Sequence, residues 1–398
     1  MIRRVLFVLI AAGPVFAQQH ADSLNRARLA DKTPAPLRLE HADELENQRV
    51  DNRDILRAIG HVEFSQDTLR AWCDESAFFR DAQIAVMIGR VKLYDLHRTI
   101  FCDKARYYAK QKKAVCEGNV LFIDSSLSLV ADSLVYYQDL ERMYAQGNVV
   151  AYDSVESVAL YGREVFYDLR REYVLSKGHP RVIQFDSTHF KGENAARKSR
   201  GWATFPVADS TGRSRRHAAD DQVSMTALTM ESHLDSNQVV GNDSVVFTRE
   251  KLTATAGHAV FDTDDERLTL WDFPRARYDA SEATGDTMVA QFLKREIASL
   301  SVRGHAEGYS VADSVQDKKH RLSARTIVMD IREKELHLMK ADGNALSVYY
   351  LENDEGKNEM SGPTIVMFFN DGKLKRFRVE GGAEGTYYPE SFQPEERP

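Results

Sequence analysis

Residues 118–149 read GNVLFIDSSLSLVADSLVYYQDLERMYAQGNV. The stretch opens and closes on Gly-Asn-Val, and the rest of the chain repeats its frame. Gly60, Gly89, Gly118 and Gly147 are each 29 residues apart, and Gly178 follows after 31. Two positions after each of the first four stand Val62, Val91, Val120 and Val149; four positions after stand Phe64, Leu93, Phe122 and Ala151. Thirteen and fourteen positions after come Cys73-Asp74, Cys102-Asp103 and Ala131-Asp132, followed by the aromatic pairs Phe78-Phe79, Tyr107-Tyr108 and Tyr136-Tyr137. Agreement at several positions of one period marks a true internal repeat.

Within a unit the apolar period is two. Val62-Glu63-Phe64 and Val91-Lys92-Leu93 alternate apolar with polar, as a half-buried strand does, and no long stretch carries a helical stripe. Gly-Asn at 118–119, 147–148, 241–242 and 343–344 is turn chemistry. Each unit is therefore expected to be a few short strands joined by tight turns. One unit cannot bury its apolar face alone, so neighbours must stack into an all-β, elongated body.

A longer period occupies the C-terminal half. Gly304-His305-Ala306, Gly343-Asn344-Ala345 and Gly381-Gly382-Ala383 lie 39 and 38 residues apart, and Thr287, Thr326 and Thr364 open apolar segments at the same spacing. Between the halves, residues 191–222 break the rhythm and carry Arg197, Lys198, Arg200, Arg213, Arg215 and Arg216; they read as a basic insertion or linker. At the start, Arg3-Arg4, the apolar run 5–12 and Val15-Phe16-Ala17 have the layout of a secretory signal cut after Ala17, which points to a periplasmic protein. Residues 18–54 read as a polar leader, flexible and partly helical around Ala42–Gln48. The expected division is then signal 1–17, leader 18–54, repeat segments 55–190 and 223–390 flanking the insertion, and a tail at 391–398.

Composition narrows the function. Across 398 residues, 43% are hydrophobic and 28% charged, which excludes wholesale disorder, a collagen-like fibre and a polytopic membrane protein. A net charge of -7 gives no reason to expect nucleic acid. No HExxH, G-x-S-x-G, P-loop or Cys-x-x-Cys occurs, so neither an enzyme nor a cofactor is expected. The twelve histidines do not cluster at ligand spacing, and no metal site is expected. The most enzyme-like feature is the column Asp74, Asp103, Asp132. On stacked strands these carboxylates could lie about 5 Å apart and bind Ca²⁺ or cleave polysaccharide, but capping of turns is the simpler role. Cys73 and Cys102 share a repeat position and could form a disulfide; with Cys116 they could equally be small core residues. The aromatic columns are core filler, or they line an interior left open to an apolar ligand.

The pattern Gly-x-Val-x-aromatic, then Leu-x-Ala-Asp-x-x-x-Tyr-Tyr, then Gly-Asn-Val, clearest in Gly118 to Val149, resembles the OstA-like family of lipopolysaccharide-transport proteins. Gly178-His179-Pro180-Arg181, Phe273-Pro274-Arg275 and the ending Gly381 to Glu390 are similar to turns of that family. The resemblance spans most of residues 55–390. It implies a twisted, open β-jellyroll built from the stacked ~29- and ~38-residue units, an interior that shields acyl chains, and end-to-end strand pairing with itself or with other transport components. This chain is about twice the length of a simple bridge subunit and lacks the long strand series of the outer-membrane barrel partner. The ligand expected on this reading is lipopolysaccharide or a related glycolipid. Its chains would lie against Val62, Phe64, Val91, Leu93, Tyr107, Val120, Phe122, Leu129, Tyr136, Val149, Val245 and Phe247. The rivals are a packed β-scaffold with no lipid and a β-helix polysaccharide enzyme using the Asp column.

Overall fold

A computed structural model describes residues 35–50, 53–154, 158–184, 223–233, 235–278, 281–293, 296–313, 318–351, 356–370 and 373–389. The signal segment, the leader up to residue 34, the basic insertion and the C-terminal tail lie outside the described residues.

Among the described residues every regular element is a strand. The chain opens with β1 (Arg38–His41) and β2 (Glu44–Val50), then runs through β3 (Arg53–Gln66), β4 (Leu69–Phe79), β5 (Ile84–Asp95), β6 (Arg98–Tyr108), β7 (Lys113–Ile123), β8 (Leu127–Tyr137), β9 (Arg142–Asp153) and β10 (Val158–Asp168). The middle comprises β11 (Tyr173–Lys177), β12 (Arg181–Gln184), β13 (Val223–Thr226), β14 (Thr229–His233), β15 (Gln238–Arg249), β16 (Leu252–Asp262), β17 (Arg267–Trp271), β18 (Arg275–Tyr278), β19 (Ser281–Thr284) and β20 (Thr287–Leu293). The series closes with β21 (Glu296–Asp313), β22 (Lys318–Arg332), β23 (Glu335–Tyr350), β24 (Lys357–Asn370), β25 (Lys373–Glu380) and β26 (Glu384–Tyr388). Each strand pairs antiparallel with its neighbours, so the chain is one long meander. The fold is the all-β, elongated body expected from the repeats, and it is consistent with the jellyroll that the resemblance implies.

The unit is built differently from the expected set of short strands. A 29-residue period holds two strands of 11 or 12 residues, and each is bent near its middle. Gly-Asn is the bend, not a hairpin turn. Gly118 and Asn119 have φ of 78° and 45°, and the β7–β8 register slips between Glu117 and Val120 at that point. Two consecutive left-handed residues swing the strand from one plane into another, and glycine takes the first position without a Cβ penalty. A Cβ on Gly118 would lie 2.6 Å from Asp103 Oδ2, so side-chain space as well as φ demands glycine. Gly241-Asn242 is an exception: the left-handed pair of β15 is Asp243-Ser244.

Bending every strand at the same place folds the sheet along a spine. The segments on one side of the spine form a lower wall and those on the other an upper wall, with apolar side chains turned inward between them. Two clusters of buried residues fill this interior, one from Ala58 to Val165 and one from Val223 to Met367. At roughly 1.5–3 kcal/mol for each large apolar side chain enclosed, this lining is the main term holding the walls together.

The leader needs correction where it is described. Arg38–His41 and Glu44–Val50 are not helical; they pair with the two halves of β3 and form the first edge of the sheet. Their charge made them read as a leader. Charged residues are what an edge strand carries to discourage indiscriminate pairing.

Candidate functional site

All twelve residues expected to contact lipid face the interior, and all are buried. Val62, Phe64, Val91, Leu93, Tyr107, Val120, Phe122, Leu129, Tyr136 and Val149 belong to the first cluster, and Val245 and Phe247 to the second. They pack against one another across the walls.

Over the first cluster the mouth of the folded sheet is closed by a polar seam. The hairpins at 67–68 and 96–97 border the upper wall; those at 109–112 and 138–141 border the lower wall. Tyr107 Oη donates to Gln66 Oε1 at 2.7 Å, and Gln66 Nε2 donates to the Ala109 carbonyl at 3.2 Å. Tyr136 Oη donates to Asp95 Oδ2 at 3.0 Å, while Gln138 Nε2 reaches Asp95 Oδ1 at 3.2 Å and Thr68 Oγ1 at 3.0 Å. Arg98 Nη2 meets Glu141 at 2.8 Å, and Lys112 Nζ meets Asp67 at 2.7 Å. Every one of these contacts ties the upper lip to the lower. Burial pushes the Tyr107 and Tyr136 hydroxyls well above the usual phenol range, so both remain donors. A hydrogen bond from Arg170, outweighing burial, and then one from Arg98 hold the Glu141 carboxyl below its ordinary value. Further along, Lys334 meets Glu250 at 3.3 Å and Tyr278 Oη donates to the Lys334 carbonyl at 2.9 Å, again joining opposite lips.

Between these closed stretches the walls part. An apolar cavity of about 100 Å³ lies where the first cluster gives way to the second. Leu127, Leu129, Ala151, Val158, Leu160 and Val182 line it from the upper wall. Met143, Val165, Tyr167, Val174, Met230 and Val239 line it from the lower, with Asp153, Ser176, Glu231 and Ser232 as its polar members.

The repeat itself explains the opening. The upper-wall position that carries Phe64, Leu93 and Phe122 becomes Ala151 in the next unit and Val182 four residues after Gly178. The lower wall keeps its ring: the unit lengthens to 31 residues, and Tyr167 takes the place of Tyr136, each paired with Met143. One ring is lost from the upper wall, which leaves space. Of the twelve expected residues only Leu129 lines this cavity. The others escaped sequence reading because attention fell on the large members of each column; the step from large to small was the available signal.

The Asp column is a spine fitting. Each unit has two strands, so successive aspartates lie two strands apart, roughly 9.5 Å at the usual spacing rather than about 5 Å. Each carboxylate sits over the corner glycine of the intervening strand and binds the residue after it. Asp103 accepts from Asn119 Nδ2 at 2.8 Å, Asp132 from Asn148 Nδ2 at 2.9 Å, and Asp74 from Arg90 Nη2 at 2.7 Å. The Arg90 hydrogen bond holds the Asp74 carboxyl below the usual carboxylate range. Among the described residues no group of three or more His, Cys, Asp or Glu side chains is placed to hold a metal ion. Cys73, Cys102 and Cys116 are free, buried thiols, and burial pushes that of Cys73 up to about 12. The two-strand separation that parts the aspartates also parts Cys73 from Cys102.

No protein-family model matches the chain, and no curated protein matches it. Among solved structures it is similar to LptH from Pseudomonas aeruginosa, the LptA homologous periplasmic component of the conserved lipopolysaccharide transport device. The two share 19% sequence identity over 37% of this chain and 82% of that one, with a TM-score of 0.27.

Proposed function

We propose that this protein is a non-enzymatic periplasmic carrier that shields the acyl chains of lipopolysaccharide, or of a related glycolipid, on the way to the outer membrane. The observation that carries the reading is the cavity between the two closed stretches. A scaffold has no use for an unfilled apolar space in the middle of its interior, and a lipid carrier requires one. An apolar cavity of comparable size stays dry and takes up apolar ligands. Each methylene that enters contributes about 0.8 kcal/mol. No single polar contact anchors such a chain, so it is held and can still slide.

Segments 55–190 and 223–390 act, on this reading, as two arms of one carrier that meet at the cavity. The edges formed by β1–β2 at one end and β25–β26 at the other are available for strand addition to a second copy or to another transport component. The polysaccharide-enzyme reading loses its support because the aspartates are spent on corner contacts.

Purification from a lipopolysaccharide-bearing host, followed by mass spectrometry of the intact protein, tests the proposal. Bound lipopolysaccharide or glycolipid is expected. Protein free of lipid at every stage of preparation would establish the scaffold instead.

A further inference from the structure

A second cavity, about 220 Å³, lies near the C-terminal end of the interior. Its walls are Tyr349, Leu351 and Met360 above and Leu374 and Phe377 below, with Ser347 and Asn358 as polar members. The column that opens the first cavity opens this one too. Four residues after Gly343, where Phe64 and Phe122 stand in the early units, the chain carries Ser347.

Ser347 is 1% exposed, and its Oγ has no hydrogen-bond partner among the described residues. A buried hydroxyl left unsatisfied destabilises a fold, so one retained beside an empty apolar space calls for a ligand that satisfies it. The lower lip adds positive charge: Lys375 occupies the bulge where the β24–β25 register slips, next to Arg376, whose guanidinium lies 4.0 Å from the Phe368 ring centre. Apolar walls, an inward hydroxyl without a partner and a cationic rim describe a receptor for an acyl group that presents an oxygen acceptor.

We infer that this C-terminal cavity binds a fatty acyl group, with its carbonyl or carboxylate oxygen accepting from the Ser347 hydroxyl. The inference rests on the lipid-carrier reading and gives it a second, polar-ended station distinct from the predominantly apolar one at mid-chain.

Methyl NMR of the full chain separates the two stations, because Met360 lines this cavity while Met143 and Met230 line the other. The probes are the maltose ester of dodecanoic acid, dodecyl maltoside, which has an ether in place of the carbonyl, and free dodecanoate. The ester is expected to shift Met360 and to bind there about tenfold more tightly than the ether, the size of one net hydrogen bond. Ser347→Val, which replaces the hydroxyl with a methyl and adds a second methyl beside the cavity, should abolish that preference while raising the unfolding temperature. Ser76→Val removes a second buried hydroxyl without a partner among the described residues, in the closed first half, and should raise the unfolding temperature without touching binding. Free dodecanoate binding at Met360 as tightly as the ester assigns a fatty acid as the source of the group; weaker binding assigns an esterified lipid. Equal affinity for ester and ether, or an unchanged preference in Ser347→Val, overturns the inference and leaves a water-filled vestibule. If shifts appear at Met143 and Met230 but not at Met360, only this inference fails. If no probe moves any of the three methyls, the carrier reading fails with it.

Discussion

Filling the mid-chain cavity separates its role as a ligand site from its role as a defect. Ala151 occupies the position that Phe122 holds one unit earlier, and it faces the empty space together with Leu129 and Leu160. At about 24 cal/mol per Å³, an empty space of about 100 Å³ costs roughly 2.4 kcal/mol. Ala151→Leu adds three carbons, which at about 0.8 kcal/mol each recover a similar amount if they find room. Rotamer restriction and imperfect fit take back part, so a net stabilisation of about 1–2 kcal/mol is expected. Urea unfolding reads this directly as a raised midpoint at unchanged slope. The same variant, expressed in a lipopolysaccharide-bearing host, should carry several-fold less lipid through purification. Destabilisation by more than about 1 kcal/mol would mean that the walls are already in contact there. Stabilisation with undiminished lipid would place the ligand elsewhere.

Three further outcomes follow from the corners and the seam. Gly118→Ala should cost about 1–3 kcal/mol, since it puts a Cβ in the left-handed region and against Asp103; the penalty should shrink by more than about 0.5 kcal/mol in an Asp103→Ala background, and strict additivity in a double-mutant cycle would refute the contact. Tyr136→Phe removes a donor from Asp95, a carboxylate only 4% exposed, and is expected to lower stability by about 1–3 kcal/mol; a change below about 0.5 kcal/mol would show that the seam is not held there. The seam should also respond to acid. Glu141 has a depressed folded pKa, so its contribution is complete above the ordinary glutamate value of 4.5 and is lost as pH falls through the lowered one. Glu141→Gln should flatten that part of the stability–pH curve, and an unchanged acid limb would discount the Arg98–Glu141 contact.

The sequence made the architecture legible because each repeat position is under one dominant constraint. Two left-handed residues in a row favour glycine at the first, and the 29-residue beat from Gly60 to Gly147 records that preference directly, whether His61, Arg90, Asn119 or Asn148 follows. Strand alternation did the same for the inward faces of Val62, Phe64 and their counterparts. What the beat cannot say is where in the strand the glycine sits. Gly-Asn is as good a hairpin as it is a corner, and only pairing across Glu117–Val120 distinguishes the two. Counting two strands per unit then separates Asp74 from Asp103 and Cys73 from Cys102. The site was less legible still. Large side chains such as Phe122 attract attention because they fill space, whereas a binding cavity is made by what is missing. Ala151 and Ser347 are each unremarkable alone and become informative only against the column they interrupt. The seam is harder yet, since Gln66 and Tyr107, or Arg98 and Glu141, meet only after the sheet has folded along its spine.

The central claim is that an acyl chain occupies the interior at mid-chain. A photoreactive amino acid at Leu160, in cells that make lipopolysaccharide, tests it most directly, with the same group at the half-exposed Ile88 on the outer face as the control. Crosslinks to lipopolysaccharide or a related glycolipid from position 160, and none from position 88, are the predicted result. Crosslinks from neither position, or equally from both, would contradict it.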